Sequence, residues 1–175
     1  MDYNMVVDSE LLDLSISDRF FVYAEAYCNA ATALTKQMTE ESNQLNWPNA
    51  TVVLMLSAHA VELFLKGAIY LKDLKANVNH HNIDKLAEIY SQKYTGSTFY
   101  FDIPFKTEYP GKSDAEIKTL KNQSNFPTSS MLYRYPTATS EEEWNGAYGF
   151  EPYSFLAVLK QLTNDFSRVK KCFTE

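Results

Sequence analysis

Val52 to Asp73, VVLMLSAHAVELFLKGAIYLKD, reads as a helix that is apolar on nearly every side. Val53, Leu56, Ala60, Leu63, Phe64 and Leu71 spread around its circumference, so the segment belongs inside a bundle. Its small residues, Ser57, Ala58, Ala60, Gly67 and Ala68, let neighbouring helices approach closely and place it in the middle. Yet His59, Glu62 and Lys66 fall along one narrow stripe of the same helix. A lone ionised group there costs several kcal/mol unless it is paired. The stripe is therefore either a buried polar device or the floor of a cleft.

Working outward, a long helix is predicted on the N-terminal side, capped by Ser17 or Asp18 and running to about Met38. Phe20, Ala24, Tyr27, Ala31, Leu34 and Met38 form its seam, spaced alternately by four and three as in helices that lie nearly parallel or antiparallel. Thr39–Asn46 serves as a connection, and Pro48 suits the first turn of the central helix, where its missing N–H has no intrahelical partner to lose. On the C-terminal side, Asn77–Asn82 breaks the pattern. Ile83, Leu86, Ile89 and Tyr90 then mark the buried face of a shorter helix that ends near Tyr94 to Gly96. From 98 to 149 the prolines and glycines interrupt any long element, giving an irregular, aromatic-rich insertion with short helices. Ser113 and Glu116 announce one of these with capping-box spacing before Ile117 and Leu120. The last helix opens at Pro152 and reaches about Phe173. Its seam is Phe155, Leu159, Leu162, Phe166, Val169 and Phe173, and Arg168, Lys170 and Lys171 favour its C-terminal end through the helix dipole. The fold class is all-α, an up-and-down helical bundle forming a single domain over residues 1–175.

At 175 residues and 45% hydrophobic content, the chain has ample material for one core. A net charge of −6 disfavours a broad electrostatic grip on phosphate backbone, although a local basic pocket remains compatible with it. Cys28 and Cys172 form no CxxC-type pair and read as reduced core thiols. Acidic residues near the N-terminus occupy positions where a secretory signal carries positive charge. The longest uninterrupted apolar run, Val52–Leu56, is too short to span a bilayer, so a soluble, cytoplasmic protein is expected. No histidine or cysteine set has zinc-site spacing and no glycine-rich phosphate loop or nucleophile elbow occurs, so neither a metal nor a cofactor is expected.

Glu62 and Lys66 are four residues apart with the acid N-terminal, the better orientation for an intrahelical pair, worth roughly 0.2–0.5 kcal/mol on a surface. Two arrangements of the stripe follow. In one, His59, Glu62 and Lys66 satisfy each other along an edge of the bundle. In the other they meet His81 and Arg134 in a cleft, with Arg134 neutralising Glu62 and His81 capping or anchoring the short helix. The insertion aromatics, from Tyr94 through Tyr135 to Phe150, pin a long loop to the core or offer rings for stacking on bases. Glu141-Glu142-Glu143 reads as a solvated turn.

The run Leu56-Ser57-Ala58-His59-Ala60-Val61-Glu62-Leu63-Phe64-Leu65-Lys66-Gly67-Ala68, followed by His81-Asn82-Ile83-Asp84-Lys85-Leu86, resembles the HEPN superfamily of nucleotide-binding helical domains. In that pattern an Ala-rich helix carries a Glu and then Leu-Lys, and a His opens a short helix after a variable loop. Leu132-Tyr133-Arg134-Tyr135-Pro136 is similar to an Arg-Tyr segment found downstream in some members. The resemblance lies mainly over residues 48–90. Ribonuclease members carry an Arg followed closely by a His, a pair that stabilises phosphorane charge and moves the 2′-hydroxyl proton. Arg19, Arg134 and Arg168 lack a His at that spacing, so the usual dyad is absent and no catalytic residue is expected. What the resemblance implies is a noncatalytic RNA- or nucleotide-binding or scaffold protein, homodimeric, in a bacterial defence or toxin–antitoxin setting. The alternative is an atypical ribonuclease using His81 and Arg134. The candidate cluster is His59, Glu62, Lys66, His81, Arg134 and Tyr135.

Overall fold

The computed structural model describes residues 6–106, 111–113, 115, 116, 119, 132–137 and 149–173. These residues are helical and loop-forming, with no strand among them. The chain runs through α1 (Ser9–Leu12), α2 (Ile16–Glu40), a 3-10 turn (Ser42–Gln44), α3 (Trp47–Lys72), α4 (Ile83–Lys93), a second 3-10 turn (Ser97–Phe99) and α5 (Pro152–Cys172). Helix α3 is the axis. It packs along α2 and against α4, while α2 also packs against α5.

The helix starts follow from side-chain oxygens that satisfy backbone donors otherwise left without partners. Asn46 Oδ1 accepts from Asn49 N at the head of α3, with Pro48 in the first turn, and Asn82 Oδ1 accepts from Lys85 N at the head of α4. The Glu151 carboxylate accepts from Tyr153 N and Ser154 N ahead of α5. Helix α2 begins slightly earlier than the sequence suggests. Its cap is Ser15, whose Oγ accepts from Asp18 N at 3.1 Å, whereas Ser17 is buried inside the first turn. Ser113 and Glu116 do form a reciprocal capping box, with Ser113 N donating to Glu116 Oε2 at 2.8 Å. Ile117 and Leu120, like Glu141-Glu142-Glu143, lie outside the described residues.

The seam of α5 buries Leu159, Leu162, Phe166 and Val169, with Phe155 and Phe173 partly covered at its ends. The seam of α2 is rotated by about one residue from the expected one. Phe21, Ala24, Cys28, Ala31, Thr35 and Met38 point into the core, while Phe20, Tyr27 and Leu34 flank it. Thr35 can lie there because its hydroxyl donates to Ala31 O at 2.7 Å. Cys28 and Cys172 are both free; Cys28 is buried and Cys172 only partly so.

Close helix approach at Gly67 sets how α2 meets α3. A β-carbon at Gly67 would lie 2.9 Å from Phe21 Cε1 and 3.0 Å from Phe20 Cβ. Around this contact the core is aromatic: Phe64 of α3 stacks on Phe166 of α5 with ring centroids 4.1 Å apart, and Phe21, Phe101 and Phe173 border the pair. Phe101 carries the start of the insertion into the core, and Arg168 clamps the same stretch by donating to Thr98 O and Tyr100 O, both at 2.6 Å. Those aromatics pin the chain, whereas Tyr100 itself is exposed. Tyr109, Phe126, Trp144 and Tyr148 lie outside the described residues.

Counting only uninterrupted apolar residues understates α3. By length and composition Trp47–Lys72 is apolar enough to cross a membrane: an 18-residue window of it has a mean hydropathy of 1.7, and 72% of that window is buried within the fold.

Candidate functional site

Glu62 lies midway along α3, almost fully removed from solvent at 3% exposure. Lys66, one turn further on, brings Nζ to 2.8 Å from Glu62 Oε1. The loop between α3 and α4 returns His81 to the same carboxylate, with Nδ1 at 2.9 Å from Oε1 and 3.2 Å from Oε2. A carboxylate accepts only, so Nδ1 of His81 carries the proton of this contact. His59 Nδ1 stands at 3.7 Å from Oε2, an ion-pair separation rather than a hydrogen bond. The His59 ring is held from the side by an edge-on contact with Tyr27 of α2, at 4.6 Å between centroids.

Burial is the largest influence on Glu62 and favours its neutral acid. The nearby His59 imidazole and the Lys66 hydrogen bond, with the charges of Lys66 and His81, together outweigh it and hold the carboxyl down at about 2, against an ordinary 4.5. Glu62 is therefore an ionised counter-charge and orienting group near neutral pH, not a proton donor. His80, next in the chain to His81, accepts from Asn82 N at 3.3 Å; burial, ahead of nearby Lys66 and Lys85, lowers its pKa.

Above this network opens a cleft of about 140 Å³. Its polar lining is His59, Glu62, His81 and Arg134. Tyr27, Met55, Ala58 and Ile83 supply its apolar walls. Four separate stretches thus surround it: α2, α3, the start of α4 and the segment 132–137. Arg134 is exposed, and no described residue holds it by a hydrogen bond or ion pair.

The arrangement of the six candidate residues is mixed. His59, Glu62, His81 and Arg134 line one cleft, and Lys66 supports it from the turn beyond Glu62. Tyr135 is exposed and lies outside the lining. Two expected roles are corrected. Lys66 and His81, not Arg134, neutralise Glu62, because a helical neighbour four residues away and an adjoining loop reach it with short bonds. Helix α4 is capped by Asn82, and His81 instead ties the chain just before it to α3 through Glu62. Met55 lines the cleft without being among the six candidates, although it continues the stripe one turn before His59 at the same four-and-three spacing.

Among the described residues no group of three or more His, Cys, Asp or Glu side chains could hold a metal ion. Comparison with family models, with curated proteins and with solved structures finds no match to this chain.

Proposed function

We propose that this protein is a HEPN-like, noncatalytic RNA- or nucleotide-binding protein, cytoplasmic and homodimeric, serving a bacterial defence or toxin–antitoxin system as binder or scaffold. One observation carries the binding reading: Arg134 and two imidazoles face a cleft whose one carboxylate among the described residues is already neutralised from within. Such a recess attracts an anionic group, and guanidinium forms bidentate bonds with phosphate oxygens. The net charge of −6 limits nucleic-acid contact to this kind of local pocket. Glu62, held ionised, is unsuited to the proton transfers of RNA cleavage near neutral pH.

A second reading, an atypical ribonuclease, rests on the Glu62–His81 contact. A carboxylate that fixes Nδ1 leaves Nε2 of His81 available to take a proton, with Arg134 in the same cleft. Incubating labelled RNA with wild type, His81→Ala and Arg134→Ala separates the two. Binding without cleavage by wild type is expected; cleavage that disappears in folded variants overturns the noncatalytic reading. Light scattering that reports a monomer removes the homodimer.

A further inference from the structure

We infer that the cleft takes a terminal phosphate monoester, carried by a mononucleotide or by an RNA end, and discriminates against the internal phosphodiesters of a strand. This deepens the binding reading above and rests on it. The first support is shape. The recess, with about 140 Å³ open to small groups, has room for a tetrahedral anion. Walls from α2, α3, the start of α4 and the segment 132–137 surround it through Tyr27, Met55, Ile83 and Arg134. A chain end enters such a recess directly, whereas an internal diester carries two ester substituents that need a through-groove.

The second support is charge. Glu62 sits at the floor with Lys66 and His81 bonded to it, and Arg134 stands over the same space with no described residue holding it. A monoester carries about −1.5 to −2 charges at neutral pH, against one for a diester, and so gains more from the cations that surround one carboxylate among the described residues. The Arg134 guanidinium binds two of its three terminal oxygens, and Nε2 of His81, freed by the Nδ1 contact to Glu62, donates to the third when the ring is protonated. Met55 and Ile83 of the lining offer apolar surface to the ribose.

The test is calorimetric titration of the full chain with one RNA hexamer in three forms, bearing a 5′-phosphate, a 3′-phosphate or hydroxyls at both ends, and with a nucleoside monophosphate. At least one phosphorylated hexamer, or the mononucleotide, is expected to bind about tenfold or more tighter than the hydroxyl-ended hexamer. Arg134→Ala is expected to erase that difference, while Lys160→Ala, on α5 and outside the cleft lining, leaves it intact. Arg134 is exposed and no described residue bonds it, so its loss is compatible with folding, which circular dichroism checks. Binding of all three hexamers with equal affinity, and of the mononucleotide no tighter, overturns the terminal-phosphate inference but leaves the RNA-binding reading standing. No binding of any hexamer or of the mononucleotide overturns both. A preference for terminal phosphate that survives Arg134→Ala removes this cleft as its site.

Discussion

Glu62 and His81, 19 residues apart in the chain, meet at 2.9 Å through Oε1 and Nδ1. This contact ties the middle of the buried helix to the loop that precedes α4, and it turns a helical polar stripe into the floor of a cleft. The same oxygen also accepts from Lys66, so the carboxylate is held from its own helix and from across the loop.

Glu62→Gln is expected to destabilise the protein by about 3–5 kcal/mol, because it leaves Lys66 buried without its counter-charge. Adding Lys66→Met should recover most of that loss. Urea denaturation of the two variants beside wild type checks both steps.

Acid should weaken the fold in a defined window. A group whose folded pKa is depressed contributes stability above its unfolded pKa and loses it as pH falls toward the folded value. For Glu62 the loss runs from about 4.5 down to about 2 and amounts to an order of 3 kcal/mol. Denaturation series between pH 6 and pH 2 should therefore show a shallower decline in Glu62→Gln than in wild type. Glu151, depressed by its bonds to Ser154 and Tyr153, and Glu116, depressed by Ser113, keep that decline from vanishing.

Gly67→Ala should lower the melting temperature despite the better helix propensity of alanine, which favours it by about 0.8–1 kcal/mol. Its methyl meets Phe21 Cε1 at 2.9 Å and Phe20 Cβ at 3.0 Å, and overpacking of that kind costs about 1–3 kcal/mol. Pairing the change with Phe21→Leu should relieve part of the clash. A melting temperature above wild type for the single variant would contradict the close packing of α2 on α3.

Arg168→Met should loosen the stretch that leads into the insertion, since it removes the donors to Thr98 O and Tyr100 O and the ion pair to Asp165 at 2.9 Å. Faster chymotryptic cleavage after the exposed Tyr100 is expected, with global stability falling by no more than about 1–3 kcal/mol. Unchanged cleavage would mean that Phe101 alone anchors this stretch.

The helical architecture was legible in the chain because its signals are local. Pro48 and Pro152 sit at helix starts, and the spacing of Leu159, Leu162, Phe166 and Val169 shows which side of α5 is buried. All-round apolarity likewise marked α3 as the central helix, and its small residues anticipated the close approach at Gly67. For α2 the same spacing rule was ambiguous. Phe20 and Phe21 are both large and apolar, and so are equally good by periodicity; contact with Gly67 and Phe64 decides that Phe21 points inward. The candidate site divides along the same line. Glu62 and Lys66 are paired by helix geometry alone, four residues apart. That His81 completes their network, that Asn82 does the capping, and that Arg134 faces the cleft without bonding Glu62 depend on the path of loops between helices, which residue spacing does not encode. Sequence by itself determined which segments are helices and which charges needed partners, because hydrogen bonding and burial within a helix repeat every few residues. Only the tertiary structure decided which partners they found, because contacts between distant residues depend on how whole helices pack.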